Sequence, residues 1–215
     1  MNNSQYSTLT ICSISMFLIL ILYACNSFRK QDNSASGIDL YKTKVDSINS
    51  ILEWKALKEG LFISKNGDIG LKSVEMNDIN SITVYISELC CEGKKLKNII
   101  DTASFKYLGS SFYRDKNNIY THYVMSDGGN FWIVGADVAT FEILGNCYAR
   151  DKNHIYGERN MVMDSVDYQS FRTSTEVGCF AKDKHGYLFW DERIRPEDIL
   201  EKSKDSVLLK KLNDL

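Results

Sequence analysis

Two copies of one polar hexapeptide, Asp115-Lys116-Asn117-Asn118-Ile119-Tyr120 and Asp151-Lys152-Asn153-His154-Ile155-Tyr156, carry the side chains most open to a chemical reading. A reduced copy begins at Asp183-Lys184-His185. An Asp two residues before an Asn opens calcium loops of the EF-hand type, which also need oxygen ligands at positions 5 and 12. Counted from Asp115 those positions are Ile119 and Ser126, and from Asp151 they are Ile155 and Val162, so the calcium pattern fails. Turn formation accounts for the same residues: Asp accepts bonds from amides ahead of it, Asn tolerates left-handed backbone, and Lys is satisfied by solvent.

The remaining chemistry-bearing residues divide in the same way. The histidines are His122, His154 and His185; the last two fall in or beside turns of different copies, without the spacing of a metal site. Cys147 and His154 sit on one expected hairpin, as a nucleophilic thiol and its base would. The plainer account is a buried thiol and a solvent-facing turn histidine. Cys147 and Cys179 hold the same position in adjacent copies and are candidates for a disulfide, or for two small apolar residues stacked in a core. Cys90 and Cys91 are adjacent, and neighbours in a strand point to opposite faces, so they read as separate thiols or as partners of other cysteines. Tyr113, Tyr120, Tyr123, Trp132 and Tyr156 would form either an aromatic row for a protein or glycan ligand or the core of a small β array. No phosphate-binding glycine loop, nucleophile elbow or nucleotide fingerprint is present. The expectation is no catalytic residue, no metal and no cofactor.

The elements that must position these residues repeat. Residues 101–120 laid over 137–156 give 11 identities in 20 positions at an offset of 36. Each unit opens with an Asp followed four residues on by a Phe: Asp101 and Phe105, Asp137 and Phe141, Asp167 and Phe171. With Ile100, Ala136 or Val166 before the Asp, this is an N-cap with a hydrophobic staple and predicts a one-turn helix. A strand, the hexapeptide turn and a return strand follow, so one unit is a helical turn plus a β-hairpin. It cannot bury its own apolar face, and neighbouring hairpins must pack as an antiparallel sheet or a stacked array. Elsewhere, Asn66-Gly67 between short apolar runs signals a hairpin, and Ile82–Ile86 reads as a strand. Arg195-Pro196-Glu197-Asp198 starts a C-terminal helix expected to turn Leu200, Val207, Leu208 and Leu212 inward. The fold class is therefore mainly β with flanking helices (α+β).

The repeated Asp-Lys-Asn-x-Ile-Tyr with Asp-x-x-(Ser/Thr)-Phe upstream resembles the DKNYY family of bacterial repeat proteins, over about Asp101 to Trp190. Thr121 and Gly157 stand where that family tends to have a second aromatic. The resemblance implies a fold and no biochemical activity.

Composition bounds the rest. A chain of 215 residues is one domain by length. Net charge −2 without a basic run gives no nucleic-acid partner. One Pro against 12 Tyr and 10 Phe favours paired strands. From Leu9 to Ala24 the chain is uncharged and ends in Leu22-Tyr23-Ala24-Cys25, which resembles a bacterial lipobox. That resemblance implies cleavage before Cys25 and membrane lipid attached through the acylated Cys25; the alternative is an uncleaved anchoring helix. The chain thus divides into a signal peptide (1–24), a lipid-anchored tether (25–38), a helical lead-in (39–60), a β-repeat domain (61–192, with units at about 100–135, 136–163 and 164–192) and a C-terminal helix (193–215). The functional expectation is a cell-envelope lipoprotein, held outside the cytoplasm, acting as a non-catalytic binding module. The alternatives are an inhibitor or immunity-type lipoprotein against a secreted toxin, and a hydrolase with an unrecognised site.

Overall fold

A computed structural model describes residues 35–76, 81–159, 161–204 and 207–215. The signal-like segment and Cys25 lie outside these residues. The chain divides into two compact units, 1–44 and 45–215. Helix α1 spans Ala35–Leu52. Within the second unit Val45, Asn49 and Leu52 of α1 are half-buried, and the Asn49 side-chain amide donates to the Thr83 carbonyl at 2.9 Å. The helix stops at Glu53, whose φ is 50°, a left-handed residue that ends helical bonding. The lead-in helix is therefore shorter than 39–60 would have it, because residues 55–58 are already a strand.

Four antiparallel meanders follow in chain order. The first is β1 (Lys55–Lys58), β2 (Leu61–Ile63), β3 (Ile69–Met76) and β4 (Ser81–Ile86). The β2–β3 turn is the Asn66-Gly67 hairpin, in which the Ser64 hydroxyl accepts from the amides of Asn66 and Asp68. The second is β5 (Lys106–Gly109), β6 (Phe112–Arg114), β7 (Ile119–Tyr123) and β8 (Asn130–Ile133). The third is β9 (Glu142–Leu144), β10 (Tyr148–Arg150), β11 (Ile155–Gly157) and β12 (Met161–Val162), and the fourth is β13 (Phe180–Asp183), β14 (Gly186–Phe189) and β15 (Glu192–Ile194). Each is open-edged, so the fold is a set of small antiparallel sheets with flanking helices. Gly129 shows how tightly β7 and β8 are joined: its φ is 68°, and a Cβ there would lie 2.2 Å from the Tyr123 carbonyl oxygen.

Alternation along the strands explains how the meanders hold together. In β7, Ile119 packs with Phe112, Phe141 and Tyr156 of the next junction, while its neighbour Tyr120 packs with Leu61, Leu96 and Phe131 of the previous one. In β11 the pattern recurs: Tyr156 faces back and Ile155 faces forward onto Phe171 and Leu188. In the fourth meander Leu188 faces back, and Tyr187 packs forward on the cluster of Val177, Ile199 and Leu212. Both faces of each repeat sheet are therefore core. Full burial of one such side chain is worth about 1.5–3 kcal/mol, and every junction holds several.

The C-terminus closes the last face. It does so with two helices, α2 (Pro196–Ser203) and α3 (Leu208–Asn213), and not with a single one. Lys204 takes left-handed backbone at φ 55° and breaks the run. Ile199, Leu208 and Leu212 point inward, whereas Leu200 and Val207 are exposed. Pro196 stands in the first turn as expected, and the Asp198 carboxylate, an acid in the first helical turn, accepts from the Arg195 amide.

Candidate functional site

The chemistry of the repeat concentrates on the Asp that opens each hexapeptide, and this carboxylate is buried. Asp115 is 1 % exposed, Asp151 3 % and Asp183 8 %. Oδ1 of Asp115 accepts from the amides of Asn117 and Asn118, both at 2.8 Å, which fixes the turn. Oδ2 accepts from the Asp101 amide at 2.8 Å and the Tyr120 hydroxyl at 2.7 Å. In the next unit Asp151 repeats all four bonds, with the amides of Asn153, His154 and Asp137 and the Tyr156 hydroxyl. One carboxylate thus joins its own turn, the return strand and the opening of its unit fourteen residues upstream.

The opening of each unit answers this bond. Oδ1 of Asp101 accepts from the amide and hydroxyl of Ser104, and Oδ2 faces Lys116 Nζ at 2.7 Å. The Ser104 hydroxyl in turn accepts from the Lys116 amide at 2.9 Å. Asp137 with Thr140 and Lys152, and Asp167 with Ser170 and Lys184, reproduce the set. Two expectations change. The opening is an Asp-bonded turn and not a helix, and the hexapeptide lysine is paired across the unit and not left to solvent. Phe105, Phe141 and Phe171 are buried in the same clusters as Ile100, Ala136 and Val166 respectively, as a staple requires.

The third copy departs at both oxygens: Oδ1 of Asp183 accepts from one turn amide, that of His185, and among the described residues no phenol reaches Oδ2. Five residues after Asp183 stands Leu188, which has no hydroxyl to give. Arg193, its cross-strand partner on β15, donates to Asp183 instead, through Nη1 at 2.5 Å and Nη2 at 2.6 Å. A bidentate guanidinium replaces the phenol.

Electrostatics follow from these contacts. The Lys152 ammonium first, then Thr140, hold Asp137 down at about 2, and Lys184 and Ser170 do the same for Asp167 at about 2. Burial raises Asp183, but Arg193 and the amides of Asp167 and His185 outweigh it and leave the carboxyl at about 2. Burial, reinforced by the adjacent carboxylates Asp115 and Asp151, pushes the phenols of Tyr120 and Tyr156 well above the ordinary range. The result is an ionised carboxylate whose acceptor sites are filled by the protein's own donors, with donors that stay protonated. It is built to hold the chain, and it leaves little capacity for a metal or a proton transfer.

The other candidates are placed as follows. Cys147 and Cys179 are bonded to each other between the second and third units, their Cα atoms 5.1 Å apart. Glu158 lies beside them, its carboxylate accepting from the Trp190 indole at 2.9 Å. His154 is at the opposite end of its hairpin from Cys147, since Tyr148 pairs with Gly157 while Arg150 pairs with Ile155; thiol and imidazole are not brought together. The aromatic row does not form. Tyr120 and Tyr156 are buried, Tyr113 packs against Phe105 and Phe131, and Tyr123 lies beneath the Arg159 guanidinium; Trp132 is half-buried on β8. A concave surface occurs instead between the third and fourth meanders, a groove of about 310 Å³ lined by Leu144, Arg150, Tyr168, Phe171 and Arg172 among others. Sequence reasoning misses this groove and the reach of each Asp to the unit opening. The equal spacing of Asp101 to Asp115 and of Asp137 to Asp151 is the available signal for the latter.

No curated protein and no solved structure matches the chain. The sequence profile of the DKNYY family matches residues 67–192, more than half of the 215 and wider than the repeats alone, taking in β3 and β4 of the first meander. This chain belongs to the DKNYY family.

Proposed function

We propose that the protein is a cell-envelope lipoprotein whose stacked meanders form a non-catalytic scaffold for binding a protein or glycan partner. The observation that carries this reading is that the most chemically suggestive residues, the hexapeptide carboxylates, are saturated by internal donors. Function then falls to the surface that the stack presents, and the groove between Arg150, Tyr168 and Arg172 supplies concavity, an aromatic face and positive charge together. The lipobox-like Leu22-Tyr23-Ala24-Cys25 supports the location, with the acylated Cys25 joining the domain to the membrane.

Two measurements test the reading. Metabolic labelling with a radiolabelled fatty acid is expected to mark the wild-type protein and leave the Cys25→Ala variant unlabelled in the soluble fraction; equal labelling of both would contradict the anchor. Cross-linking in intact cells is expected to capture a partner that is lost when Tyr168 is replaced by Ala. Hydrolytic turnover by the purified protein, abolished by a change at His154 or Cys147, would instead establish an enzyme.

A further inference from the structure

We propose that Cys90 and Cys91 form a redox-active vicinal pair, which closes to a disulfide between adjacent residues on meeting a small-molecule disulfide and reopens on reduction. The site lies in the loop after β4. Glu88 and Lys95 are bridged there, and the Leu89 amide donates to the Lys94 carbonyl at 2.9 Å, so the six residues between the bridge partners form a closed turn. The Cys90 amide donates to the Phe131 carbonyl at 3.0 Å and Leu89 is buried, which fastens the turn to the second meander.

Adjacent side chains in extended backbone diverge to opposite faces. Here Cys91 has φ 65°, in the left-handed region that residues with a Cβ seldom occupy, and this brings both sulfurs to the same side. The Sγ atoms are 3.0 Å apart, about 1 Å beyond a disulfide bond. Cys147 and Cys179 are already joined to each other, so among the described residues Cys90 and Cys91 have only one another. Backbone strain at one residue and sulfur proximity at the pair are separate observations, and both point to the same closure.

Access sets the order of events. Cys91 is exposed, whereas Cys90 is half-buried. The Cys91 thiolate attacks the incoming disulfide RSSR and expels RS⁻, which leaves a mixed disulfide on Cys91. The Cys90 thiolate then attacks the Cys91 sulfur and expels the second RS⁻. The two protein thiols give up two electrons and two protons, and RSSR leaves as two RSH. A dithiol reductant runs the sequence backwards.

The test uses the full-length protein in detergent, incubated with glutathione disulfide, alkylated, digested and read by mass spectrometry. The expected wild-type peptide carries neither alkyl group nor glutathione and is lighter than the dithiol form by two hydrogens. Cys90→Ser is expected to retain a stable glutathione adduct on Cys91, because no second thiol is present to displace it. A trivalent arsenical, which bridges neighbouring thiols, is expected to bind the reduced wild-type pair and to be lost with Cys90→Ser or Cys91→Ser. Wild-type protein alkylated at both sulfurs after oxidation, or holding a lasting glutathione adduct, or linked through either cysteine to a second chain, would overturn the proposal.

Discussion

At the scale of residues, the unit is organised around a buried anion held by four donors. Hydrogen bonds to charged groups contribute about 1.5–3 kcal/mol each. Tyr156→Phe removes one donor from Asp151 and keeps the ring in its cluster, so it is expected to lower unfolding free energy by about that amount in urea titration. Arg193→Ala leaves Asp183 buried without its guanidinium and is expected to cost about 3–5 kcal/mol. Adding Leu188→Tyr to that variant supplies a phenol where the first two units have one and is expected to recover part of the loss by the same measurement. Asp115 is legible in the sequence as a turn residue because the bonds to Asn117 and Asn118 are local. Arg193 is not, because a donor five residues beyond a missing tyrosine has no local signature.

At the scale of elements, strand alternation carries each unit's contacts in two directions. Hairpins at Asn66-Gly67 and at the hexapeptides are readable, since their chemistry is confined to a few consecutive residues. The opening turn reads as a helix because an Asp cap with a staple is the same pattern in both. What differs is that no bonded helical turn continues past Phe105, where β5 begins at once. Strands buried on both faces also carry apolar residues on both faces, so period alone does not say which side is core. The bond from Cys147 to Cys179 ties the third meander to the fourth across a sequence separation of 32. Closing a loop of that size restricts the unfolded chain, and replacing both residues with Ala is expected to lower stability by about 2–4 kcal/mol under oxidising conditions. The same replacement is expected to have little effect in excess reductant, which separates the bond from the packing of two small side chains.

At the scale of the molecule, the meanders share clusters at every junction and should unfold together. Acid is expected to weaken the stack in two stages. His122 is buried against the Gly128 carbonyl, and burial lowers its pKa below the ordinary value of 6.5 despite that bond. The unfolded chain therefore binds a proton first, and stability begins to fall as pH drops through about 6.5. Asp137, Asp167 and Asp183 are held at about 2, so their contribution is complete above about 4 and is lost as pH falls towards 2. Urea midpoints measured from pH 8 to pH 2 should show both declines, and a His122→Gln variant should lack the first. The measurement that bears most directly on the whole account is the urea unfolding of Asp151→Asn at neutral pH. This change keeps the size of the side chain and removes the charge that four donors share. A single cooperative transition displaced by about 3 kcal/mol is the predicted result, because hydrogen bonds weakened in one unit weaken the entire stack. An unchanged midpoint would contradict the account and return the hexapeptide carboxylates to the search for a ligand or a reaction.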